Sequence, residues 1–448
     1  MTVPERPQVA SNASATPVNS GVSHAFDATQ RGGDLVRRAL EVAVAGQRLP
    51  TVSGLIRVTG DWELAADCFS DAVERALRHW PDDGVPDNPA AWLTTTAHRR
   101  ALDVLRRRRV EGEKLRALSV MDPTSAGSPG PDVDPYASTY RDDVLRLVFT
   151  ACHPALPQAG RVALTLRTVA GMSVRQIARA FLVSESTMGR RLTRTRDKIA
   201  HSGIRFDVPP PHRLAERTAG VLAVIYLIFN EGYSAPVVDD EQNLADEAVR
   251  LAQVLAGVLP DDDEARGLLA LLLFQHARRA ARLDADGELV PLPEQDRTRW
   301  DAEMIARAQI ELNAARASGR APGWYRIQAE IAAAHVGPPS ASATDWHAVV
   351  AGYDRLLQLS DSPVVALNRA VAVGFRDGPD AGLAAVDEAA ADGRLAGYPL
   401  LPAVRADLLR RSGRAGEAAE QYRAAIDLAG SEPERRFLRR RLTGLVDG

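Results

Sequence analysis

Residues 173–199, SVRQIARAFLVSESTMGRRLTRTRDKI, contain the clearest structural pattern in the chain. Four apolar residues recur there at the i, i+3, i+4 and i+7 spacing of a short amphipathic helix: Val174, Ile177, Ala178 and Phe181. Ser184 is a favourable N-cap for a second helix, and Glu185 in its first turn complements the helix dipole. Two short helices joined by a tight turn are typical of a helix-turn-helix.

The second of these helices separates charge from apolar surface. Met188, Leu192 and Ile199 share one face, whereas the other face carries Thr187, Arg190, Arg191 and Arg194. Between residues 160 and 205 there are ten Lys or Arg and two acidic residues, a net charge of +8, although the whole chain has a net charge of −3. Such an excess indicates a surface that binds a polyanion. The alternative is a solvated helix face, but the turn, the cap and the segregated charge together favour DNA binding.

A second informative block lies upstream, between Asp61 and Arg109. The spacing predicts a helix over Glu63–His79 that presents the acidic residues Asp67, Asp71 and Glu74 opposite its apolar face. A turn-rich loop, WPDDGVPDNP (Trp80–Pro89), follows. Asn88 can cap the next helix, with Pro89 at its first position. Outside the apolar stripe of that helix lie Thr96, Arg99, Arg100, Asp103, Arg106 and Arg107. Four consecutive arginines, Arg106–Arg109, follow, and because cations also favour a helix C-terminus, these four alone do not establish DNA binding.

The two blocks together resemble bacterial extracytoplasmic-function sigma factors of RNA polymerase. Asp67–Val73, the loop and PAAWLTTTAHRRALDVLRRR are similar to region 2 of that family. LTLRTVAGMSVRQIARAFLVSESTMGRRLTRTRDKI is similar to region 4. The two resemblances occur in the family's order and cover about residues 34–205.

The resemblance implies a role for each surface. The region 2 helix of the family binds the clamp helices of core RNA polymerase, which points to Asp67, Asp71 and Glu74. The loop and the following helix capture and open the downstream promoter element, which points to Trp80, Asp87, Asn88, Arg99, Arg100, Arg106 and Arg107. Region 4 reads the upstream element in the major groove, which points to Ser186, Thr187, Arg190, Arg191 and Arg194.

About half of the chain follows region 4. YLIFNEGYSA (Tyr226–Ala235) resembles the C-terminal extension of a sigma-factor subgroup whose members end in tetratricopeptide-like repeats. Ala418, Tyr422 and Ala425 have the spacing of the second helix of such a repeat. A step back of about 34 residues puts Ala384 in the place of Ala418, and a further step reaches Tyr353 and Leu356. About three repeats are therefore expected between Asp345 and Leu442.

The C-terminal half is expected to regulate the sigma domains, either through an intramolecular contact or by binding a regulatory protein on a concave repeat surface. A passive scaffold is the alternative. Within Asn230–Tyr233, Gly232 is predicted to end a helix in the left-handed cap position.

The chain as a whole is predicted to be all-α, because no segment alternates as a strand and aromatic residues make up only 5% of the sequence. Two small helical sigma domains, joined by a flexible linker, are followed by a helical C-terminal domain with tetratricopeptide-like repeats. The expected segments are a disordered tail (1–30), the region 2 domain (31–118), an acidic linker (119–140), the region 4 domain (141–205), a helical extension (206–340) and the repeats (341–448).

Several function classes are disfavoured by the sequence. The sequence has only two cysteines, too few for a disulfide framework or a cysteine-rich zinc site. No apolar run reaches the roughly 18 residues of a membrane span, and the first residues lack the apolar core of a signal peptide, so a cytoplasmic protein without a membrane partner is expected. Glycine-rich phosphate loops and paired-histidine motifs are missing from the sequence, so no catalytic residue, metal or cofactor is predicted.

Two functions of different class remain open. The first is a sigma factor that catalyses nothing itself and has core RNA polymerase and promoter DNA as partners. The alternative is a stand-alone helix-turn-helix regulator with a helical-repeat sensor domain, which would not need the block between Asp61 and Arg109. A repeat scaffold whose basic blocks have lost DNA binding is a third possibility.

Overall fold

The computed structural model describes residues 21–118, 140–181, 183–234 and 244–445. These residues form eighteen α-helices with short π and 3₁₀ turns and contain no β-strand, which confirms the all-α prediction. The chain divides into two compact units, residues 1–144 and 145–448. Residues 119–139 of the expected linker and 1–20 of the expected tail lie outside the described residues.

The first unit is built on three long helices that pack pairwise against one another: α1 (Gly21–Thr59), α2 (Trp62–Asp83) and α3 (Pro89–Leu118). Helix α1 begins inside the segment expected to be a disordered tail. Asp61 caps α2 by accepting hydrogen bonds from the backbone N–H groups of Glu63 and Leu64. Leu55, Phe69 and Leu93 contribute one buried side chain from each helix to the common core.

The next segment holds the predicted helix-turn-helix. It consists of α4 (Tyr140–Ala151), α5 (Gln158–Thr165), a π-helical turn (Leu166–Ala170), α6 (Val174–Ala180) and α7 (Glu185–His201). Helices α5 and α6 both pack on α7. Ile177, Met188 and Leu192 are buried between them, so the apolar stripes expected from the sequence form the core of this segment.

Five helices follow: α8 (Pro211–Ser234), α9 (Leu244–Val258), α10 (Asp263–His276), α11 (Ala302–Ala317) and α12 (Trp324–Val336). Helix α10 packs against α9, α11 and α12, which explains why Leu268–Phe274 is apolar on every side. The left-handed cap predicted at Gly232 is wrong. This residue lies inside α8, and a Cβ there would come within 2.3 Å of the backbone nitrogen of Ala245, so the glycine allows α9 to approach.

Six helices complete the chain, and each packs on the next: α13 (Trp346–Leu359), α14 (Pro363–Arg376), α15 (Pro379–Ala390), α16 (Leu400–Arg411), α17 (Ala415–Leu428) and α18 (Glu432–Thr443). Helices α13, α15 and α17 begin at residues 346, 379 and 415, which gives spacings of 33 and 36 residues.

The predicted repeat register is wrong at Ala384, because the spacing of the helices is uneven. Ala418, Tyr422 and Ala425 are buried as a repeat helix requires, but Ala384 is exposed. The small buried residue of α15 is instead Gly382, which packs close to Gly374 of α14, where a Cβ would lie 2.8 Å from the Cα of Gly374. A fixed 34-residue step failed here because the α15–α16 connection is longer than a regular repeat would have.

Candidate nucleic-acid and protein interfaces

Side-chain caps define both helices of the helix-turn-helix. Ser173 and Gln176 form a capping box at α6, with Gln176 N–H donating to Ser173 Oγ at 3.2 Å and Ser173 N–H donating to Gln176 Oε1 at 2.7 Å. Ser184 accepts from the N–H of Thr187 at 3.2 Å, which confirms it as the N-cap of α7. Arg175 and Glu185 lie 3.6 Å apart and link the two helices across the turn.

The outer face of α7 carries the residues predicted to read DNA. Ser186, Arg190 and Arg194 are exposed, and Thr187 and Arg191 are partly exposed. Within the described part of the chain, no carboxylate pairs with the guanidinium of any of these three arginines. Arg194 Nε donates to the backbone oxygen of Arg190 at 3.3 Å. An exposed helix face with unneutralised guanidinium groups can bind phosphates and base edges.

Helix α5 holds α7 at close range. A Cβ added to Gly160 would lie 2.6 Å from Thr195 Oγ1, so only glycine allows the two helices to come this near. Thr195 is itself fixed, because its hydroxyl donates to the backbone oxygen of Arg191 at 2.8 Å. The presentation of the basic face of α7 therefore depends on a tight contact on its opposite side.

The acidic residues of α2 are less available than the sequence suggested. Asp67 and Glu74 are exposed and Asp71 is partly exposed. Asp71 Oδ2 accepts from Arg100 Nε at 2.8 Å, and Glu74 forms an ion pair with Arg78 one turn later. At least two of the three predicted polymerase-binding acids thus have partners within the chain.

Trp80 does not lie in the loop where the sequence placed it. Helix α2 continues to Asp83, and the Trp80 side chain is 2% exposed and meets Trp92 edge-to-face with ring centroids 5.4 Å apart. The helix continues because the indole is buried against α3, and Pro81 falls in its last turns. A side chain this buried presents no surface to DNA, so Trp80 is a packing residue in this structure.

The loop between α2 and α3 keeps two of its predicted site residues at the surface. Asp87 and Asn88 are both exposed. Asn88 Oδ1 accepts from the N–H of Ala91 at 3.0 Å, which confirms the predicted cap at the start of α3. The oxygen of Asn88 is therefore occupied by the helix.

The arginines of α3 divide into paired and unpaired groups. Arg100 binds Asp71, and Arg106 lies 3.2 Å from Asp103 in the preceding turn. Arg99 and Arg107 are exposed and have no carboxylate partner among the residues that the structure describes. These two are the α3 cations best placed to meet a phosphate.

Arg108, which was predicted to bind neither polymerase nor DNA, joins α3 to the start of α2. Its Nη1 lies 3.0 Å from Asp61 Oδ2, at the N-cap of α2. Burial opposes ionisation of Asp61, but the N–H of Leu64 and the guanidinium of Arg108 hold its pKa below the ordinary value. Because the two residues are far apart in sequence, no local pattern could have predicted their contact.

The C-terminal half contacts the helix-turn-helix segment directly, within the second compact unit. Arg217 of α8 donates to the backbone oxygen of Phe149 at 2.6 Å, near the end of α4. Arg250 of α9 donates to the oxygen of Val169 at 3.2 Å, in the π-helical turn. Both arginines satisfy carbonyl groups at helix C-termini, where cations are most favourable. No pattern in the sequence pointed to this contact.

Metal-binding and membrane-spanning features do not occur in the described ranges. No group of three or more His, Cys, Asp or Glu side chains there is arranged to hold a metal ion. Every described helix is too short or too polar to span a membrane. Cys68 and Cys152 are both buried free thiols.

The chain was compared with protein families, with known proteins and with solved structures. Three family models match the chain: Sigma-70 region 2 over residues 47–111, Sigma-70 region 4 over 146–199, and a family of unknown function, DUF6596, over 217–316. The uncharacterized protein R00370 of Rhizobium meliloti (strain 1021) is 42% identical over 410 residues, which span 91% of this chain and 96% of that protein. No solved structure matches the chain significantly. The chain belongs to the same family as the Rhizobium protein, and it carries the region 2 and region 4 domains of a sigma-70 family factor followed by a DUF6596 domain.

Proposed function

We propose that this protein is an extracytoplasmic-function RNA polymerase sigma factor that acts in the cytoplasm. It binds core polymerase, directs it to specific bipartite promoters and catalyses no reaction itself. The observation that carries the proposal is the presence of both Sigma-70 domains in one chain, the second of which presents an exposed arginine face on its recognition helix.

The proposed role of α7 is to read the upstream promoter element in the major groove. Arg190, Arg191 and Arg194 supply guanidinium groups that pair with no carboxylate of the described residues. Ser186 and Thr187 lie at the N-terminal end of the same face. An arginine that binds a guanine edge with two hydrogen bonds contributes about 1–3 kcal/mol of discrimination, whereas one that binds phosphate contributes affinity without specificity.

Region 2 is proposed to divide its contacts between polymerase and DNA. The exposed Asp67 and Glu74 are the acids that we assign to core polymerase. Asp87 and Asn88 in the loop, with Arg99 and Arg107 on α3, form the proposed surface for the opened downstream element. Unpairing and flipping a base costs a few kcal/mol, which contacts to the extruded base must offset. Asp71, Arg100 and Arg106 would contribute only after their internal pairs open.

The C-terminal half is proposed to regulate region 4 by holding it and not by covering its DNA-binding face. The arginine contacts from α8 and α9 reach carbonyls of α4 and of the π-helical turn, while Arg190 and Arg194 stay exposed. The proposed tetratricopeptide-like stack, α13–α18, would then receive a regulatory protein. Consecutive packing of these helices supports that proposal, as does the spacing of α13, α15 and α17.

A transcription experiment tests the proposed function. Core RNA polymerase is supplied with sheared genomic DNA, with or without the full-length protein, and the 5′ ends of the transcripts are mapped. The proposal expects new start sites preceded by a shared pair of sequence elements. If the protein creates no start site beyond those of core enzyme alone, the proposed function is wrong.

A further inference from the structure

Two adjoining cavities lie in the C-terminal half, among α10, α12, α13 and α14. Their volumes are about 260 and 200 Å³, and both are lined by Leu292, His335, Tyr353 and Asn368. Of these four residues, Asn368 is exposed to solvent. Helix α10 belongs to the segment that matches DUF6596, whereas α12, α13 and α14 follow it, so the cavities lie along the seam between these two parts.

Most of the cavity wall is apolar. Leu271, Ile331 and Leu356 line the first cavity, together with the ring of Trp324. Trp346 lines the second, where it stacks on Phe375 with ring centroids 4.3 Å apart. Walls of this kind favour a ligand with a hydrocarbon or aromatic body, as in most small-molecule sites.

Two residues that line the first cavity each carry a hydrogen-bond donor without an acceptor among the described residues. Arg278 Nε and Gln328 Nε2 are buried atoms of lining residues, and neither has an acceptor among the described residues. Both side chains are anchored elsewhere, since Arg278 Nη2 donates to the Tyr233 hydroxyl at 3.2 Å and Gln328 Oε1 accepts from the Tyr226 hydroxyl at 3.4 Å. A buried donor without an acceptor is costly, so native proteins rarely retain one without a partner. Because both of these groups are donors, a ligand that pairs with them must supply hydrogen-bond acceptors.

The charges around the cavities have one sign. Arg278 and Arg297 line them, and no Asp or Glu is among the residues that line either one. Arg297 is held in place by the backbone oxygens of His335 and Pro338, at 3.1 and 2.8 Å. Burial, together with these two arginines, lowers the pKa of His335 to about 4, so the imidazole stays neutral at pH 7. The environment therefore favours an anion over a cation.

We propose that the first cavity is a binding site for a small organic carboxylate with an apolar body. The carboxylate accepts hydrogen bonds from Arg278 and Gln328, and the apolar body lies against Leu271, Ile331 and Trp324. A bound ligand would contact both sides of the seam and so strengthen the packing of α12–α14 on α10. This site is independent of the sigma-factor proposal, because binding is measured without polymerase or DNA.

Calorimetric titration of the full-length protein tests the proposal with four probes: octanoate, indole-3-propionate and the primary amide of each acid. Each amide keeps the apolar body and the shape of its acid but removes the charge. At least one carboxylate should bind with a stoichiometry of one, about tenfold or more tightly than its amide. The tryptophan fluorescence of the protein should change when octanoate, which does not fluoresce, is added, because Trp324 lines the first cavity. If neither acid binds more tightly than its amide, the proposal is overturned, and this comparison needs no variant.

Variants of the lining residues test whether the ligand binds in the first cavity. Arg278→Met should weaken binding of the better carboxylate about tenfold, and Gln328→Leu should weaken it severalfold. Arg307→Met is the matched control, since Arg307 is exposed on α11 and lines neither cavity. Equal affinity in the wild type and both cavity variants would overturn the assignment of the site. Binding of inorganic phosphate in the same range, with the same dependence on Arg278, would overturn the assignment of the ligand class.

Discussion

Arg100 Nε lies 2.8 Å from Asp71 Oδ2 and joins α3 to α2. The resemblance to sigma factors assigned these residues to different partners, Asp71 to core polymerase and Arg100 to DNA. In the structure they bind each other, at side-chain exposures of 33% for Arg100 and 40% for Asp71. The pair connects the helix proposed to meet polymerase with the helix proposed to meet the promoter, and neither residue is free while it persists.

The exposure of the Asp71–Arg100 pair predicts a small contribution to stability. Water screens both charges, so a double-mutant cycle with Asp71→Asn and Arg100→Gln should give a coupling energy of about 0.2–1 kcal/mol. Urea denaturation of the four proteins measures it. A coupling well above this range would mean that the pair is a structural link between α2 and α3 and not a surface contact.

We expect the basic face of α7 to be needed for promoter-directed transcription but not for binding core polymerase. Replacing both Arg190 and Arg191 with alanine should lower promoter-directed transcription about tenfold or more, because base and phosphate contacts are lost together. Affinity for core polymerase should not change. Lys198→Ala is the control, since this cation is exposed nearer the end of the same helix. Loss of polymerase binding in the double variant would show that α7 has been assigned to the wrong partner.

Gly160 predicts a steric effect with a specific rescue. Gly160→Ala puts a Cβ 2.6 Å from Thr195 Oγ1 and should lower the free energy of unfolding by about 1–3 kcal/mol. Thr195→Ala removes the colliding atoms, so the double variant should recover part of the loss. Gly189→Ala is a matched control on α7, because no atom lies within 4 Å of its added Cβ. Equal effects at both glycines would contradict the close contact between α5 and α7.

The arginine contacts from α8 and α9 predict coupling between the C-terminal half and region 4. Arg217→Met removes the bond to Phe149 O and should raise amide hydrogen exchange in α4 and α5, with a loss of about 1.5–3 kcal/mol in stability. Arg213→Met, one turn earlier and exposed, removes only a 3.9 Å pair with Glu216 and serves as the control. Unchanged exchange in α4 and α5 for Arg217→Met would mean that the contact does not hold the two parts together.

The two buried thiols predict a pH dependence. Burial raises the pKa of Cys68 and of Cys152 to about 11, so both stay protonated in the folded protein at pH 8. The thiols of the unfolded chain ionise near the ordinary cysteine pKa of 9.0, so their contribution to stability is lost as pH rises from about 9 to about 11. Iodoacetamide at pH 8 should label neither cysteine until urea is added. Rapid labelling of the native protein would contradict this.

Local patterns predicted the parts of this protein that local interactions determine. Ser184 and Asn88 were identified as caps because a cap depends on the residue and its next three neighbours, and the apolar stripe of α7 follows from helical spacing alone. The acidic residues of α2 were placed on the correct helix, but their partners were not predicted. Asp71 and Arg100 are 29 residues apart in sequence, and such pairings are determined by how helices pack.

Tertiary packing also explains the errors. Trp80 looked like a loop residue because proline follows it, yet its burial against Trp92 extends the helix. Gly232 looked like a cap, but a neighbouring helix passes close to it. The contact between Arg217 and Phe149 O joins segments that the triple proline at 209–211 seemed to separate.

Two affinities of the full-length chain distinguish a sigma factor from a stand-alone regulator. One is the affinity for core RNA polymerase, and the other is the affinity for promoter DNA alone. Biolayer interferometry with immobilised protein gives both values in one buffer. A sigma factor should bind core polymerase tightly and free promoter DNA weakly, and Asp67→Lys should weaken only the first. Specific, tight binding to DNA together with no binding to polymerase would contradict the sigma-factor function and would identify a stand-alone regulator.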